Sequence, residues 1–385
     1  MQHIKSIILA FIVLSNTVLL TSCWNYREID KLAVVAGVAV DKGTDHKYRI
    51  TVETIQISGG KDTKPKSKLI SVEGDTMFDA ARNEISLSGK RLYWSHAKVI
   101  ILSKEIARNG AIKVIDWYNR DSETRADVNI LISGGETARE IFEGQETSED
   151  IKSFNLYQMI QNERSLSKAP NIEIWKFIND LELEGISPVI PSVILKKTNN
   201  EAVPHINGSA IFSHDGLIGF INEDESKDLL FIRNEVKAGV LVQMEQGREG
   251  NSPVSLEIFD NKTRVNPSVK NDLIDGINIS TDTRVAIDEI DGSENYIDDA
   301  GRKKLERDAE KTLESNIEQL IKKVQEDYGV DIFGFGAKIH EDYPGLWSRI
   351  SNNWKKNFKN LKISINSKID IRNSAMTSKT VEIGD

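Results

Sequence analysis

Short β-type runs alternate with helix-type periods through the first half of the chain. Apolar runs rich in β-branched residues predict strands at residues 32–40, 48–57, 92–102, 128–133 and 188–195. Apolar positions spaced by three and four predict helices at residues 75–88, 103–119, 137–142, 151–162 and 172–181. This succession of strands and helices predicts an α/β or α+β unit.

The second half begins with a predicted hairpin and contains the clearest helical pattern of the chain. Strands 206–212 and 217–221 flank a Ser-His-Asp-Gly turn, and Asn222 with Glu225 resembles a capping box. After several strands between residues 240 and 290, apolar positions recur every three or four residues from 303 to 328, which predicts a long amphipathic helix. A shorter helix near Trp347 to Phe358 precedes a half-exposed strand at 361–371.

The polar stretch at residues 196–203 divides these two patterned regions and predicts a linker. We therefore expect domains at 23–195 and 204–372, with a subdivision of the first near 60 or 145 left open, and a tail at 373–385. The predicted fold class is α+β and multi-domain, with mixed sheets and packed helices. Its C-terminal domain carries the long amphipathic helix and the alternating terminal strand.

Residues 1–22 have the pattern of a lipoprotein signal peptide. Lys5 is their one charge, an apolar run follows it, and Leu20-Thr21-Ser22-Cys23 resembles a bacterial lipobox. The resemblance implies a diacylglyceryl group on Cys23, and two acyl chains hold a protein on a bilayer almost permanently. An uncleaved anchor or an incidental cysteine are the alternatives. Cys23 is the single cysteine, so the chain forms no internal disulfide.

The charge balance argues against nucleic acid as a partner. The chain has 50 Lys plus Arg against 59 Asp plus Glu, a net charge of −9. A lysine-rich loop at residues 61–68 can contact anionic lipid, but a solvated loop is the simpler interpretation.

Motif searches predict no catalytic, cofactor-binding or metal site. His340-Glu341 begins like a zinc-protease motif, but Pro344 occupies the position of the second histidine ligand. Residues 334–339 lack the third glycine of a dinucleotide loop, and the acidic stretch 288–299 does not align with a calcium loop. For His96, a core or turn-bonded imidazole is a simpler interpretation than a catalytic one.

Several short segments, taken together, form a recognisable pattern. They are Cys23-Trp24, Arg27-Glu28-Ile29, residues 37–41, residues 96–99, residues 120–125, residues 331–336, Tyr343-Pro344, Trp347, Trp354 and Phe358. This pattern resembles that of the Ger(x)C lipoproteins, the C subunits of nutrient germinant receptors of bacterial endospores. Asn373-Ser374 departs from the family pattern, in which a glycine is expected near the end. The similarity covers nearly the whole chain after residue 22.

The resemblance implies a non-catalytic, lipid-anchored subunit on the outer face of the spore inner membrane, needed for assembly or signalling in germination. It also implies polytopic A-type and transporter-like B-type membrane subunits as partners. Alternatives are a solute-binding lipoprotein and a cell-wall enzyme, although the latter lacks an identifiable carboxylate pair. For Arg120, Asp121 and Arg125, an ion-pair and turn network within the domain is an equally good interpretation. The candidate interface residues are Trp24, Arg120, Asp121, Arg125, Phe333 and Phe335.

Overall fold

The computed structural model describes residues 4–8, 10–11, 31–56, 65–144, 151–198, 201–247, 250–291, 295–296 and 298–374. It confirms the predicted α+β class, with two sheets and packed helices. The signal peptide from residue 12 onward, the lipobox and Trp24 lie outside these residues. No helix in the described ranges is long and apolar enough to cross a membrane.

Thirteen strands occur in the part of the chain that the structure describes. They are β1 Leu32–Lys42, β2 Tyr48–Gln56, β3 Lys66–Gly74, β4 Arg91–Tyr93, β5 Val99–Leu102, β6 Asn129–Ser133, β7 Val189–Thr198, β8 Glu201–Ser213, β9 Gly216–Ile221, β10 Gly239–Gly247, β11 Gly250–Lys270, β12 Leu273–Ile290 and β13 Ile363–Ser374.

The α-helices with established bounds follow in chain order. They are α1 Met77–Asn83, α2 Ile85–Ser88, α3 Lys104–Arg108, α4 Ile112–Arg120, α5 Arg139–Glu143, α6 Lys152–Asn162, α7 Ile174–Glu182, α8 Glu223–Ile232, α9 Asp299–Lys323, α10 Phe335–Asp342, α11 Pro344–Ile350 and α12 Trp354–Lys359.

The first sheet has parallel strands at its centre and antiparallel hairpins at both sides. Its order is β3-β2-β1-β5-β6-β7-β8-β9, and β4 also pairs with β1. Strands β5 and β6 are buried along their whole length, as their continuous apolar runs predicted. Helices α1, α4 and α7 cover one face, whereas α5 and α6 cover the other. We call this sheet with its helices the large-sheet unit.

The prediction of one continuous strand at residues 92–102 is wrong in the middle of that range. A 3-10 turn at Trp94–His96 divides it into β4 and β5, which pair with successive stretches of β1. The turn buries Trp94 edge-on against Trp117 and Tyr118. Aromatic packing therefore overrides the local β-type pattern, and His96 lies in the turn.

Residues 196–203, predicted to be a linker, instead include the ends of β7 and β8. Lys196 pairs with Val203 and Thr198 with Glu201, so one sheet continues across the segment. The described tip is largely exposed, and exposed hairpin ends share the polar composition of linkers. The domain boundaries themselves stay a prediction.

The second sheet has the order β10-β11-β12-β13, with α9 packed along it. We call this sheet with helices α9 to α12 the small-sheet unit. Glu306, Glu310 and Glu314 of α9 accept hydrogen bonds from the backbone N–H groups of β13 residues 371, 369 and 367, at 3.0, 3.0 and 2.7 Å. This glutamate ladder pairs edge N–H groups that an uncovered strand offers to other chains.

Helix α8 joins the two units. The capping box predicted at Asn222 and Glu225 is present at its start, with both hydrogen bonds formed. One hydrophobic core contains Val189 and Ile211 of the large sheet, Leu229 of α8, and residues of the small-sheet unit such as Ile317. The two sheets therefore share a continuous core.

Candidate functional site

Residues 331–336, here called the junction loop, are organised around one buried carboxylate. Asp331 is 4% exposed and accepts hydrogen bonds from the backbone N–H groups of Phe333, Gly334 and Gly336, at 3.0, 2.9 and 2.8 Å. The indole N–H of Trp354 donates a fourth, at 3.2 Å. These bonds fix the loop and tie it to α12.

The junction loop lies directly against the chain that leaves α7. Gly334 has a φ of +83° and Gly185 a φ of +82°, a left-handed backbone that favours glycine. A Cβ atom on Gly185 would lie 2.4 Å from the carbonyl carbon of Gly336, while the Ala337 N–H donates to the Gly185 carbonyl at 3.0 Å. The two units meet here at backbone contact distance.

Arg233, at the end of α8, connects the same segments. Its Nε donates to the Ile332 carbonyl at 2.8 Å, and a terminal nitrogen lies 3.4 Å from the Ser187 carbonyl. The carboxylate of Asp180 lies 4.0 Å from the guanidinium, and both side chains are at least nine-tenths buried. The Ser187 N–H donates to the Asp331 carbonyl at 2.7 Å. Arg233 thus contacts both units at once, and we call this arrangement the junction.

Burial dominates the electrostatics of the junction. It raises the pKa of Asp331 to about 6, although the surrounding backbone N–H groups favour the ionised form. It also raises the pKa of Asp180, against the opposing effect of Arg233. Because Asp331 and Arg233 are hydrogen-bonded to fixed backbone and Asp180 forms an ion pair with Arg233, the site is built to hold two units together.

The structure shows that Phe333 and Phe335 are interior residues. Their side chains are 5% and 0% exposed, stack on each other with ring centroids 5.1 Å apart, and pack against Phe358. Both side chains therefore pack in the interior and are not exposed at the surface of this structure. The candidate interface on these two residues stays a prediction.

The charged candidates have partners within their own turn. Arg120 pairs with Asp116 and Arg125 with Asp127, at 2.7 and 2.6 Å, on exposed side chains. The Asp121 carboxylate accepts the backbone N–H of Glu123 at 2.8 Å. The alternative of an intradomain network fits this geometry, while the candidate interface on these residues stays a prediction. Cys23 and Trp24 lie outside the described residues.

A cleft of about 740 Å³ lies between α8, β10 and α9. Asp228 lines it and is 8% exposed, and no hydrogen bond or ion pair to its carboxyl occurs within the described part of the chain. Burial raises its pKa to about 7. Its neighbours Glu225 and Lys323 pair with each other at 2.6 Å, and Lys227 donates to the Val240 carbonyl. Asp228 is therefore a buried carboxyl that lines the cleft without a hydrogen-bond or ion-pair partner in the described part of the chain.

Two of the histidines that the structure describes make ordinary contacts with neighbouring side chains. His340 stacks on Trp347, and His205 lies 2.5 Å from a carboxylate oxygen of Glu223. Across the described ranges, no group of three or more His, Cys, Asp or Glu side chains has metal-binding geometry.

Sequence patterns did not identify Arg233, Asp180 or Gly185, which lack a motif. Asp228 did carry a signal, because it lies three and four positions before Phe231 and Ile232 and thus on the buried face of α8. A lone acid on an apolar helix face is a detectable exception to the pattern.

Two protein-family models together match most of the chain. The one described as "Spore germination protein N-terminal domain" matches residues 25–195. The one described as "Spore germination B3/ GerAC like, C-terminal" matches residues 207–375.

Relatives from Bacillus subtilis (strain 168) align over most of their length. The chain is 22% identical to Spore germination protein KC, with 98% of each chain covered. It is 27% identical to Spore germination protein YndF (91% and 92% covered) and 25% identical to Spore germination protein B3 (88% and 90%). The solved structure titled "Crystal Structure of the GerBC protein" matches with a TM-score of 0.53 and 22% identity, over 86% of this chain and 96% of that one. That likeness supports the fold.

Proposed function

The chain belongs to the family of GerAC-like spore germination proteins, and we propose that it is the lipid-anchored, non-catalytic C subunit of a nutrient germinant receptor. Its role lies in spore germination. The proposal adds the anchor on Cys23, a position on the outer face of the spore inner membrane, and assembly with polytopic A-type and transporter-like B-type subunits.

The junction is the observation that supports a role in assembly or signalling. Arg233 donates a hydrogen bond to the Ile332 carbonyl, the Ser187 N–H donates to the Asp331 carbonyl, and the two units share one core. A displacement imposed on one unit is therefore transmitted to the other, because packed interiors have low compressibility. A subunit that relays or braces a membrane receptor needs this stiffness.

Replacement of the lipidated cysteine tests the anchor and the role together. Cys23→Ala removes the acylation site, so the protein is expected to leave the membrane fraction of spores and nutrient germination to slow. Ser22→Ala, one position earlier, is the control and should keep both. Normal membrane retention together with a normal germination rate in Cys23→Ala spores would contradict the proposal.

The cleft at Asp228 favours a second candidate function, binding of a small cationic solute. A buried carboxyl without a hydrogen-bond partner costs free energy unless a ligand or water satisfies it, and an ammonium group is its natural complement. Calorimetry on residues 24–385 with a panel of primary amines and amino acids tests this. Saturable heat that disappears in Asp228→Asn would support a solute-binding lipoprotein, and heat that persists in that variant would exclude this cleft.

A further inference from the structure

The N-terminal ends of the central strands define one edge of the large sheet. Strands β1, β4 and β5 are parallel, and Leu32 at the start of β1 pairs with Arg91 at the start of β4. Because Leu32 follows Cys23 by nine positions, an extended segment reaches at most about 30 Å. An anchor on Cys23 therefore keeps this edge of the sheet near the bilayer.

Strand β3 begins at the same edge. Ile55 of β2 pairs with Val34 of β1 on one side and with Ser67 of β3 on the other. Lys66 therefore lies at the level of the first residues of β1. Lys68 lies beside the corner between α1 and α2, where it acts electrostatically on Glu84.

Helix α2 and the turn after it complete this edge. Leu87 is 65% exposed and Ile85 is 37% exposed, although both are large apolar side chains. Gly89 ends the helix with a φ of +70°, and Lys90 then leads into β4. We call Lys66, Lys68, Ile85, Leu87 and Lys90 the basal patch.

The patch combines positive charge with exposed apolar surface. Its three lysines are exposed and form no ion pair with any residue that the structure describes. In the adjoining turn the positive charges are paired, because Arg91 forms an ion pair with Glu123 at 2.7 Å and Arg125 forms one with Asp127 at 2.6 Å. Lysines beside exposed leucine are the surface chemistry that anionic membranes attract.

We propose that the basal patch is the membrane-docking surface of this protein. Leu87 and Ile85 enter the interfacial region, while the three lysines contact anionic lipid headgroups and orient the large sheet with its N-terminal edge towards the bilayer. The proposal rests on the lipid anchor proposed above for its biological setting. The patch itself is testable without the anchor.

Binding of the unlipidated chain to vesicles tests the patch on its own. Residues 24–385 are sedimented with vesicles of phosphatidylcholine alone or with one-third phosphatidylglycerol. The triple variant Lys66→Glu, Lys68→Glu, Lys90→Glu is compared with a control of equal net charge, Lys42→Glu, Lys47→Glu, Lys113→Glu, whose positions lie at and beyond the opposite ends of β1 and β5.

We expect partitioning onto anionic vesicles to fall about a hundredfold in the patch variant and less than threefold in the control. Binding should also fall steeply with salt. Leu87→Ser should weaken binding to anionic vesicles several-fold. Equal losses in the two triple variants, or no binding by the parent chain, would overturn the proposal.

A second experiment uses the anchored protein. With Cys23 acylated, Leu87→Cys supplies a unique thiol for a fluorophore, and Asp45→Cys supplies one in the distant turn between β1 and β2. Brominated lipids should quench the label at 87 and leave that at 45 unaffected. Equal quenching would refute the orientation. Failure of acylation at Cys23 would refute the anchor instead, while the vesicle result would stand.

Discussion

Removal of the Arg233 side chain gives the sharpest test of the junction. In Arg233→Ala the Ile332 carbonyl loses a charge-assisted hydrogen bond of 2.8 Å, for which about 1.5 to 3 kcal/mol is typical. The carboxyl of Asp180 also loses its buried cationic neighbour at 4.0 Å. Protonation of Asp180, whose pKa burial already raises, relieves part of that loss. We expect a total destabilisation of about 3 to 5 kcal/mol.

A double-mutant cycle separates the pair from simple loss of packing. Asp180→Asn alone should cost about 1 to 2 kcal/mol, and Arg233→Ala in the Asp180→Asn background should cost at least about 1 kcal/mol less than in the parent. Urea unfolding of residues 24–385 provides the free energies, with tryptophan fluorescence as the probe because Trp354 contacts the junction. Arg120→Ala, an exposed paired arginine, is the control and should change stability by under about 1 kcal/mol.

Equal stability of Arg233→Ala and Arg120→Ala, or additive effects of the two junction substitutions, would refute this role for Arg233. In either case the units would be held together by the shared core alone. Limited proteolysis adds an independent readout, since a loosened junction should expose the chain between α7 and β7 to cleavage before global unfolding.

Three further predictions concern other carboxylates. Glu310→Ala should lower the free energy of unfolding by about 1 to 3 kcal/mol and speed hydrogen exchange at the Ile369 amide, because that N–H loses its acceptor. Glu318→Ala on the same helix is the control and should change neither quantity. Equal exchange rates at the Ile369 amide in the two variants would contradict the glutamate ladder. Backbone N–H groups hold the pKa of Glu73 at about 2, below its ordinary 4.5, so its stabilisation of the β1–β2 turn is full above pH 4.5 and lost towards pH 2. An NMR titration with its midpoint near 4.5 would refute this. Burial raises the pKa of Asp228 to about 7, so ionisation of this carboxyl destabilises the folded parent protein as pH rises from 4 to 8. The stability of Asp228→Asn relative to the parent should therefore increase over that range, by up to about 4 kcal/mol. A stability difference that does not change with pH would contradict the raised pKa.

Periodicity predicted most elements because it reports local burial. The helix at residues 303–328 and the alternating strand at 361–371 appear as α9 and β13 with small shifts in their bounds. The capping box at Asn222 was predictable because two side chains at a fixed spacing satisfy two backbone groups. These features depend on neighbours in the chain.

Features set by distant contacts escaped the sequence analysis. The 3-10 turn at Trp94 depends on Trp117 and Tyr118, and the pairing of Lys196 with Val203 depends on the register of a whole sheet. The sequence pattern around Phe333 and Phe335 does not distinguish exposed anchors from core residues, and the structure shows that both are buried. The role of Arg233 depends on contacts with residues tens of positions away in the chain, which a local sequence pattern does not reveal.

Recovery of partners from native spore membranes tests the central claim most directly. The lipidated protein is affinity-purified in mild detergent, and the polytopic proteins that remain bound are identified, with Cys23→Ala spores as the control. The account predicts co-purification of one A-type and one B-type receptor subunit with the parent protein. An intact, membrane-retained protein that brings down neither subunit would contradict its assignment as a receptor component.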